Sequence, residues 1–327
     1  MKPSVQSWPR VAVVIPCYRV TRHIGEVLAA IGQGCHAIYV VDDACPDGSG
    51  QWVQQHCTDP RVHVLFQSAN SGVGGAVMRG YSQALADGAD IVVKIDGDGQ
   101  HDPALIPELI VPLLDGEADY TKGNRFFDLD GLQGMPRLRI FGNAVLSFFN
   151  KLSTGYWNVF DPTNGLTAVR AEVLAKLPFD KISQRYFFES DMLFRLSLVR
   201  AVVVDVPMAA HYADEVSHLR VGRVVGEFLF KHLRNFGKRI FYNYFLRDVS
   251  LASLELLLGV ALLGFGSVFG AWHWYQGVLS GQATPAGTVM LAALPVLMGL
   301  QCLLAFFGYD IANVPKRPRA RPLRDFR

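Results

Sequence analysis

Val92-Val93-Lys94-Ile95-Asp96-Gly97-Asp98-Gly99-Gln100-His101-Asp102-Pro103 decides how this chain is read. An apolar run stops abruptly at two carboxylates two residues apart, with one glycine between them and another after them. Alternate side chains of an extended segment share a face, so Asp96 and Asp98 can point the same way. Two anions so placed repel unless a cation stands between them. Hard oxygen ligands, with room left by glycines, suit a divalent metal that also grips a diphosphate. Asp and Gly also make plain turns, and a calcium loop starts in the same way. The calcium pattern needs glycine at its sixth position. His101 stands there, which excludes it.

Upstream the chain alternates strand-like and helix-like segments. Val11-Ala12-Val13-Val14-Ile15 is a β-rich run stopped by Pro16, and a helix is expected from about 23 to 31. Ile38-Tyr39-Val40-Val41 ends in Asp42-Asp43, followed by a helix over 50–56. Val62-His63-Val64-Leu65-Phe66 is a third strand; Asn70-Ser71-Gly72-Val73-Gly74-Gly75 then opens a helix to about 87. Ile91-Val92-Val93-Lys94-Ile95 is the fourth strand. This repeat predicts an α/β fold with a doubly wound, mostly parallel sheet. Ligands of such sheets sit beyond the carboxyl ends of the strands, where Pro16, Asp42, Asp43, Asn70, Asp96 and Asp98 all fall. The glycines at 72–75 form neither a phosphate loop nor a dinucleotide fingerprint, since no Gly-Lys-Ser/Thr follows and Val77 takes the last Gly position. They read as a flexible helix start.

The 327 residues carry a net charge of only +2, so overall charge gives no footprint for nucleic acid. Hydrophobic residues make up 50% of the chain, and the excess sits near the C-terminus. Two apolar stretches, about 252–275 and 286–308, are each long enough to cross a bilayer, which takes about 20 helical residues. Basic residues flank the pair on both outer sides: Lys231, Arg234, Lys238, Arg239 and Arg247 before it, Lys316, Arg317, Arg319, Arg321, Arg324 and Arg327 after it. The link at 276–285 has neither Lys nor Arg. The positive-inside rule predicts a multi-pass hairpin in the cytoplasmic membrane, with catalytic part and tail both cytoplasmic. Trp272, Trp274 and Tyr275 fit an aromatic belt at the outer end. Residues 1–10 hold two prolines and the following apolar run is short, which is no secretory leader pattern. The five cysteines lack zinc spacing and are expected as free thiols. The expected division is a catalytic domain at 1–220, juxtamembrane amphipathic helices at 221–250 lying in the headgroup layer, the membrane hairpin at 251–310, and a basic tail at 311–327.

At this point the motifs resemble a family. Ile15-Pro16-Cys17-Tyr18, Val41-Asp42-Asp43-Ala44-Cys45-Pro46-Asp47-Gly48-Ser49, Asn70-Ser71-Gly72 and Asp96-Gly97-Asp98-Gly99-Gln100-His101-Asp102-Pro103 come in the order of the family 2 GT-A glycosyltransferases. More narrowly they resemble the dolichyl- or polyprenyl-phosphate sugar synthases, over roughly 10–220. The resemblance implies a Rossmann-like GT-A domain and an inverting transfer from a UDP- or GDP-linked sugar to polyprenyl phosphate. It implies that Pro16 and Tyr18 line the base pocket and that Asp42 or Asp43 hydrogen-bonds base or ribose. It gives Asp96 and Asp98 to Mg²⁺ or Mn²⁺ and the diphosphate, with Gln100 assisting near the sugar. Arg125, with Arg137 or Arg139, is implied as the clamp on the lipid phosphate. The loop Asp161-Pro162-Thr163-Asn164-Gly165 is implied beside the donor sugar, through Asp161, Asn164 and Gly165. Phe188-Glu189-Ser190-Asp191 is implied near the reacting carbon, and Arg220 over the diphosphate. Arg19-Val20 stands where the family often has Asn-Glu, and Arg220 where lysine is common, which keeps charge but changes geometry. No Gln-x-x-Arg-Trp follows the acidic element, which argues against a processive synthase.

A phosphate acceptor has its second pKa near 6, so it is already an anionic nucleophile at neutral pH. Asp191 or Glu189 is then expected as a positioning or weakly basic carboxylate, Asp191 being the conventional candidate. A membrane anchor raises the effective concentration of a lipid acceptor. Two other readings remain: a hydroxyl of a lipid-linked glycan as acceptor, which needs a true base, and a non-catalytic membrane scaffold. The resemblance also leaves room for a homo-oligomer.

Overall fold

The computed structural model describes residues 8–127, 137–208, 221–321 and 323. Two compact units emerge: the described residues of Met1–Phe236 with those of Pro315–Arg327, and Gly237–Val314.

The first unit is built on seven strands: β1 (Val11–Cys17), β2 (Ala37–Asp42), β3 (Val62–Phe66), β4 (Ile91–Lys94), β5 (Tyr120–Asn124), β6 (Thr167–Arg170) and β7 (Val203–Pro207). Their order across the sheet is β3-β2-β1-β4-β6-β5-β7. β1 pairs in parallel with β2 and β4, β2 with β3, and β5 with β7. β6 runs antiparallel to both β4 and β5, so every strand but β6 points the same way. The sheet is therefore mostly parallel, as expected, with one reversed strand that the simple repeat did not foretell.

The central strands are apolar on both faces because both faces are covered. Val11, Val13 and Ile15 of β1 join Ile38, Val40, Ile91 and Val93 in one buried layer. Ile24, Val27 and Leu28 of α1 (Ile24–Ala30) and Ile106, Leu109 and Leu113 of α4 (Ile106–Leu114) cover that layer. The helix of residues 50–56 starts one residue earlier than expected, as α2 (Ser49–His56), and α3 spans Val73–Ala86. Further along come α5 (Arg137–Thr154), the short α6 (Ala171–Leu174), α7 (Phe188–Leu198) and α8 (Val221–Phe241).

α8 falls where an amphipathic helix was expected in the headgroup layer, but up to Phe236 it belongs to the catalytic unit. His232 is buried, with Nδ1 2.8 Å from Ser153 Oγ, and its ring lies against Phe149 and Phe187. Leu229, Phe230 and Leu233 remain exposed on the same helix. The described residues of the tail bond to the first unit. The N–H groups of Arg319 and Ala320 donate to the buried Asp119 carboxylate, and Leu323 N–H donates to Leu114 O at 3.2 Å. The chain thus leaves the catalytic unit after Phe236 and rejoins it from Pro315.

The second unit holds α9 (Leu251–Ser280) and α10 (Ala286–Ala312), both long and apolar enough to cross a membrane. α9 outruns the expected 275 and ends at Gly281, whose φ of 67° gives the left-handed cap that glycine tolerates. The helices approach closely at small residues: a Cβ on Gly299 would lie 2.6 Å from Leu263 N, and one on Gly266 2.7 Å from Ala292 O. At the base of the pair Arg239 and Asp310 are both buried, joined by two bonds of 2.6 and 3.0 Å, and Tyr244 Oη donates to the same carboxylate at 2.6 Å.

Breaking that ion pair on one side strands a buried charge. Asp310→Leu should lower stability by about 3–5 kcal/mol, and adding Arg239→Met should recover most of it, read as melting of the detergent-solubilised protein. Burial pulls His232 from 6.5 down to about 4, so the folded state keeps it neutral. The unfolded chain takes up that proton first as pH falls. Stability should therefore be full above about 6.5 and decline towards about 4; His232→Gln should flatten this part of the stability–pH profile.

Candidate active site

Four buried residues of β4 carry the chain to the catalytic edge, and the last of them is Lys94. Lys94 and Asp96 stand two apart, so both project to one side. Lys94 Nζ lies 2.8 Å from Asp96 Oδ1 and 3.3 Å from Glu189 Oε1 on α7. The lysine side chain is 1% exposed, whereas Asp96 is 26% exposed and opens to the edge. Burial pushes the Asp96 carboxyl up, but Lys94, with His101 and Arg125, outweighs it and holds the group below the usual carboxylate range. Burial also raises Glu189, and there Lys94 offsets it only in part.

Beyond Asp96 the chain turns tightly. Gln100 N–H donates to Asp98 Oδ1 at 3.0 Å, and Gly99 sits at φ 78°, where glycine is favoured. His101 is buried, and among the described residues no group accepts from or donates to its Nδ1. Burial lowers its pKa, and the nearby Asp96 charge opposes that only in part. Among the described residues no three His, Cys, Asp or Glu side chains converge into a closed cage. The set instead suits a divalent ion that draws its other ligands from a diphosphate. Three carboxylates (Asp96, Asp98 and Glu189) against one ammonium leave two negative charges, which one such ion neutralises.

The reversed strand β6 supplies the opposite wall. Its register sets Thr167 across from Lys94 on one side and Lys122 on the other. The loop before it therefore reaches the same edge that the parallel strands reach with their carboxyl ends. Gly165 lies so close to Asp96 that any Cβ there would overlap Oδ2. Asp161 does not stand alone beside a sugar: Arg125 grips it in two bonds of 2.7 and 2.9 Å. Asn164 Nδ2 adds a third at 3.2 Å, and the buried Lys122 donates to the Asp161 carbonyl. Arg125, expected on a lipid phosphate, and Asp161 and Asn164, expected on the donor sugar, thus form one network.

The two aspartates at the end of β2, Asp42 within it and Asp43 just after, are buried and bonded internally. Asp42 accepts from Cys45 N–H at 2.8 Å and Gly50 N–H at 2.6 Å. Asp43 accepts from Ser71 and Gly72 N–H, both at 2.8 Å, and from Gln67 Nε2 at 3.0 Å. They shape the loops round the expected base pocket, and in this geometry their oxygens face backbone donors. Pro16, expected to stop β1, lies within it in register with Val41, and the strand runs on to Cys17. Tyr18 is 44% exposed beside it, with the Arg19 guanidinium 5.5 Å from its ring.

Glu189 and Asp191 part company. Glu189 meets Lys94 at the edge. Asp191 is fully buried, accepts from Ser183 N–H at 2.8 Å and Asn235 Nδ2 at 3.0 Å, and so ties α7 to α8. Arg137 and Arg139 fall in the first turn of α5, but their side chains, like the whole of Arg220, lie outside the described residues. Sequence reasoning missed Lys94, Lys122 and Asn235. The signal for Lys94 was a lone charge inside Val92-Val93-Lys94-Ile95.

A mixed seven-stranded sheet with an Asp-Gly-Asp turn at its carboxyl edge is the architecture of a GT-A nucleotide-sugar enzyme. The fold matches glucosyl-3-phosphoglycerate synthase from Mycobacterium tuberculosis, solved with Mn²⁺, uridine diphosphate and glucosyl-3-phosphoglycerate: TM-score 0.51 over 71% of this chain and 80% of that one, at 21% identity. The profile of glycosyl transferase family 2 matches residues 12–177, and the chain belongs to that family; it is a glycosyltransferase. The undecaprenyl-phosphate mannosyltransferase of Micrococcus luteus is 32% identical over 222 residues, 67% of this chain and 90% of that one. The polyprenol monophosphomannose synthase of Mycolicibacterium smegmatis is 29% identical over 63% of this chain and 78% of its own length.

Gly165→Ala should force Asp96 from its place. A loss of about 1–3 kcal/mol in stability is expected, together with weakened Mn²⁺ binding by calorimetry. Wild-type melting and wild-type Mn²⁺ affinity in this variant would refute the contact.

Proposed function

We propose that this glycosyltransferase moves a sugar from a nucleoside diphosphate to the phosphate of a polyprenyl phosphate at the cytoplasmic face of a membrane. The observation that carries the reading is the chain path: the catalytic unit closes on itself on either side of two long apolar helices. Such a path fits an even number of membrane crossings, with the two ends of the apolar pair on one side. The basic flanks favour the cytoplasmic side. An acceptor that cannot leave the bilayer is best served by an enzyme tied to it. The relatives from Micrococcus and Mycolicibacterium are named for transfer to such lipids.

In the proposed reaction the bond between the sugar's anomeric carbon and the diphosphate breaks as one to the acceptor phosphate oxygen forms on the opposite face. Asp96 and Asp98 are the residues to hold a divalent metal, which supplies charge neutralisation on the departing diphosphate. Tyr18 offers its exposed ring to a base. The acceptor arrives as an anion, so the chain needs little proton transfer. Glu189 is the carboxylate at the edge, and its role is to orient the donor by accepting a hydrogen bond from a sugar hydroxyl. Asp191 serves by bracing α7 against α8. Arg220, with Arg137 and Arg139, is assigned to the phosphates through the family resemblance alone.

Purified protein with polyprenyl phosphate, Mn²⁺ and a panel of UDP- and GDP-sugars should yield a polyprenyl-phosphate sugar. No transfer from any donor would sink the proposal. Glu189→Gln should cut turnover about a hundredfold, the size of effect a lost positioning contact produces. Asp191→Asn should instead cost about 1–3 kcal/mol of stability, because an amide replaces an acceptor that two donors face. A folded Asp191→Asn variant with no residual turnover would favour a hydroxyl acceptor that needs a true base.

A further inference from the structure

Lys94 is a whole charge at a position buried like its apolar neighbours in β4. A buried ion pair is seldom more stable than well-packed hydrophobic residues of similar volume, so stability alone gives no reason for it. Its neighbour Lys122 makes the contrast. Both lysines flank Thr167 in the sheet and both are about 1% exposed. Lys122 donates to the backbone carbonyls of Asp161 and Gly123 and holds a loop. Lys94 turns instead to two carboxylates, one of them the first acid of the Asp-Gly-Asp turn.

We propose that Lys94 is a positioning residue, a resident cation that shares Asp96 with the incoming metal and sets the charge of the donor site. The proposal rests on the metal–diphosphate reading above. With Lys94 present, the three carboxylates carry a net of two negative charges, and a divalent ion brings the site to neutrality before an anionic diphosphate arrives. Without it the same acids hold the bare metal more tightly, but the filled site stays negative and repels the diphosphate. Lys94 thus weakens the metal's own binding in favour of the metal–nucleotide complex. It also keeps Glu189 drawn to the edge, since the ammonium bridges the two acids on one face of the sheet.

The signs of these effects separate the role from simple structural damage. Calorimetry on the full chain in lipid nanodiscs would titrate Mn²⁺ alone, then UDP and GDP at saturating Mn²⁺. Lys94→Met should bind bare Mn²⁺ about tenfold tighter, and the wild type's preferred nucleoside diphosphate about tenfold weaker. Glu189→Gln should bind bare Mn²⁺ more weakly, although Glu189 is no ligand. The double variant restores the net charge and should return Mn²⁺ affinity to within about threefold of wild type. Structural damage alone would lower the melting temperature and loosen Mn²⁺ in every variant. A folded Lys94→Met with unchanged or weaker Mn²⁺ binding overturns the proposal. If that variant does not fold, unchanged Mn²⁺ affinity in Glu189→Gln overturns it equally. A wild type that binds neither Mn²⁺ nor nucleotide overturns the functional reading and this inference together, whereas a wild type that binds both while the variants show none of these signs overturns the inference alone.

Discussion

One ammonium group buried between two carboxylates at the end of β4 is the constraint on which the catalytic edge depends. A lysine ammonium at 1% exposure needs acceptors close by, and Lys94 finds them in carboxylates. The nearest available in sequence is two residues on, where strand geometry returns to the same face. Asp96 therefore turns one oxygen towards Lys94, and its other oxygen meets the backbone of Gly165. No side chain fits at 165, so the approach of that loop is fixed by the same contact. Glu189, a hundred residues further along, completes the grouping from the start of α7.

The reversed strand follows from that need. A parallel strand delivers its carboxyl end to the edge where ligands bind. β6 runs the other way and delivers the loop that precedes it. Asp161, Asn164 and Gly165 thereby reach the edge in a single short segment, and Arg125 at the end of β5 pairs with Asp161 there. A strictly parallel sheet would have put this loop at the far end of the strands. The inversion places two walls of one site within a strand's width of each other.

Much of the fold was legible because its central strands are short β-branched runs bounded by polar turns. Val11 to Ile15, Ile38 to Val41 and Ile91 to Ile95 leave little else to predict. β5 and β6 escaped for a physical reason. Tyr120-Thr121-Lys122-Gly123-Asn124 reads as polar, yet all five residues are buried, because their polar groups find partners remote in sequence. Arg170, at the end of β6, is 2% exposed and donates to Leu113 O at 3.0 Å. A hydrophobic pattern cannot register such pairings. The acids show the same limit. Asp96 at a strand end, Asp42 and Asp43 at the end of β2 and Asp191 on α7 look alike as letters. Only the fold shows that backbone N–H groups face Asp42 and Asp43, that Ser183 and Asn235 hold Asp191, and that Asp96 opens to the edge.

The second unit bears on where the chemistry takes place. A pair of core helices in a water-soluble protein would bury one stripe and face water with polar groups. α9 and α10 bury only a narrow stripe against each other, and most of their outer surface is apolar. Leu257, Val268, Trp274 and Leu297 are 56%, 72%, 74% and 63% exposed, on helices whose mean hydropathy over the best window is 2.0 and 2.2. Apolar surface of that extent is stable only against lipid or another apolar partner. The charges of the unit are gathered accordingly. Asp310, near the end of α10, is held by Arg239 and Tyr244 instead of facing outward. Polar groups satisfied at one end, glycine contacts between the helices and hydrocarbon elsewhere are what a bilayer selects. In the proposed reaction the acceptor carries its charge at the membrane surface and its tail within, and the division of the chain between an acidic edge and an apolar hairpin suits such a substrate.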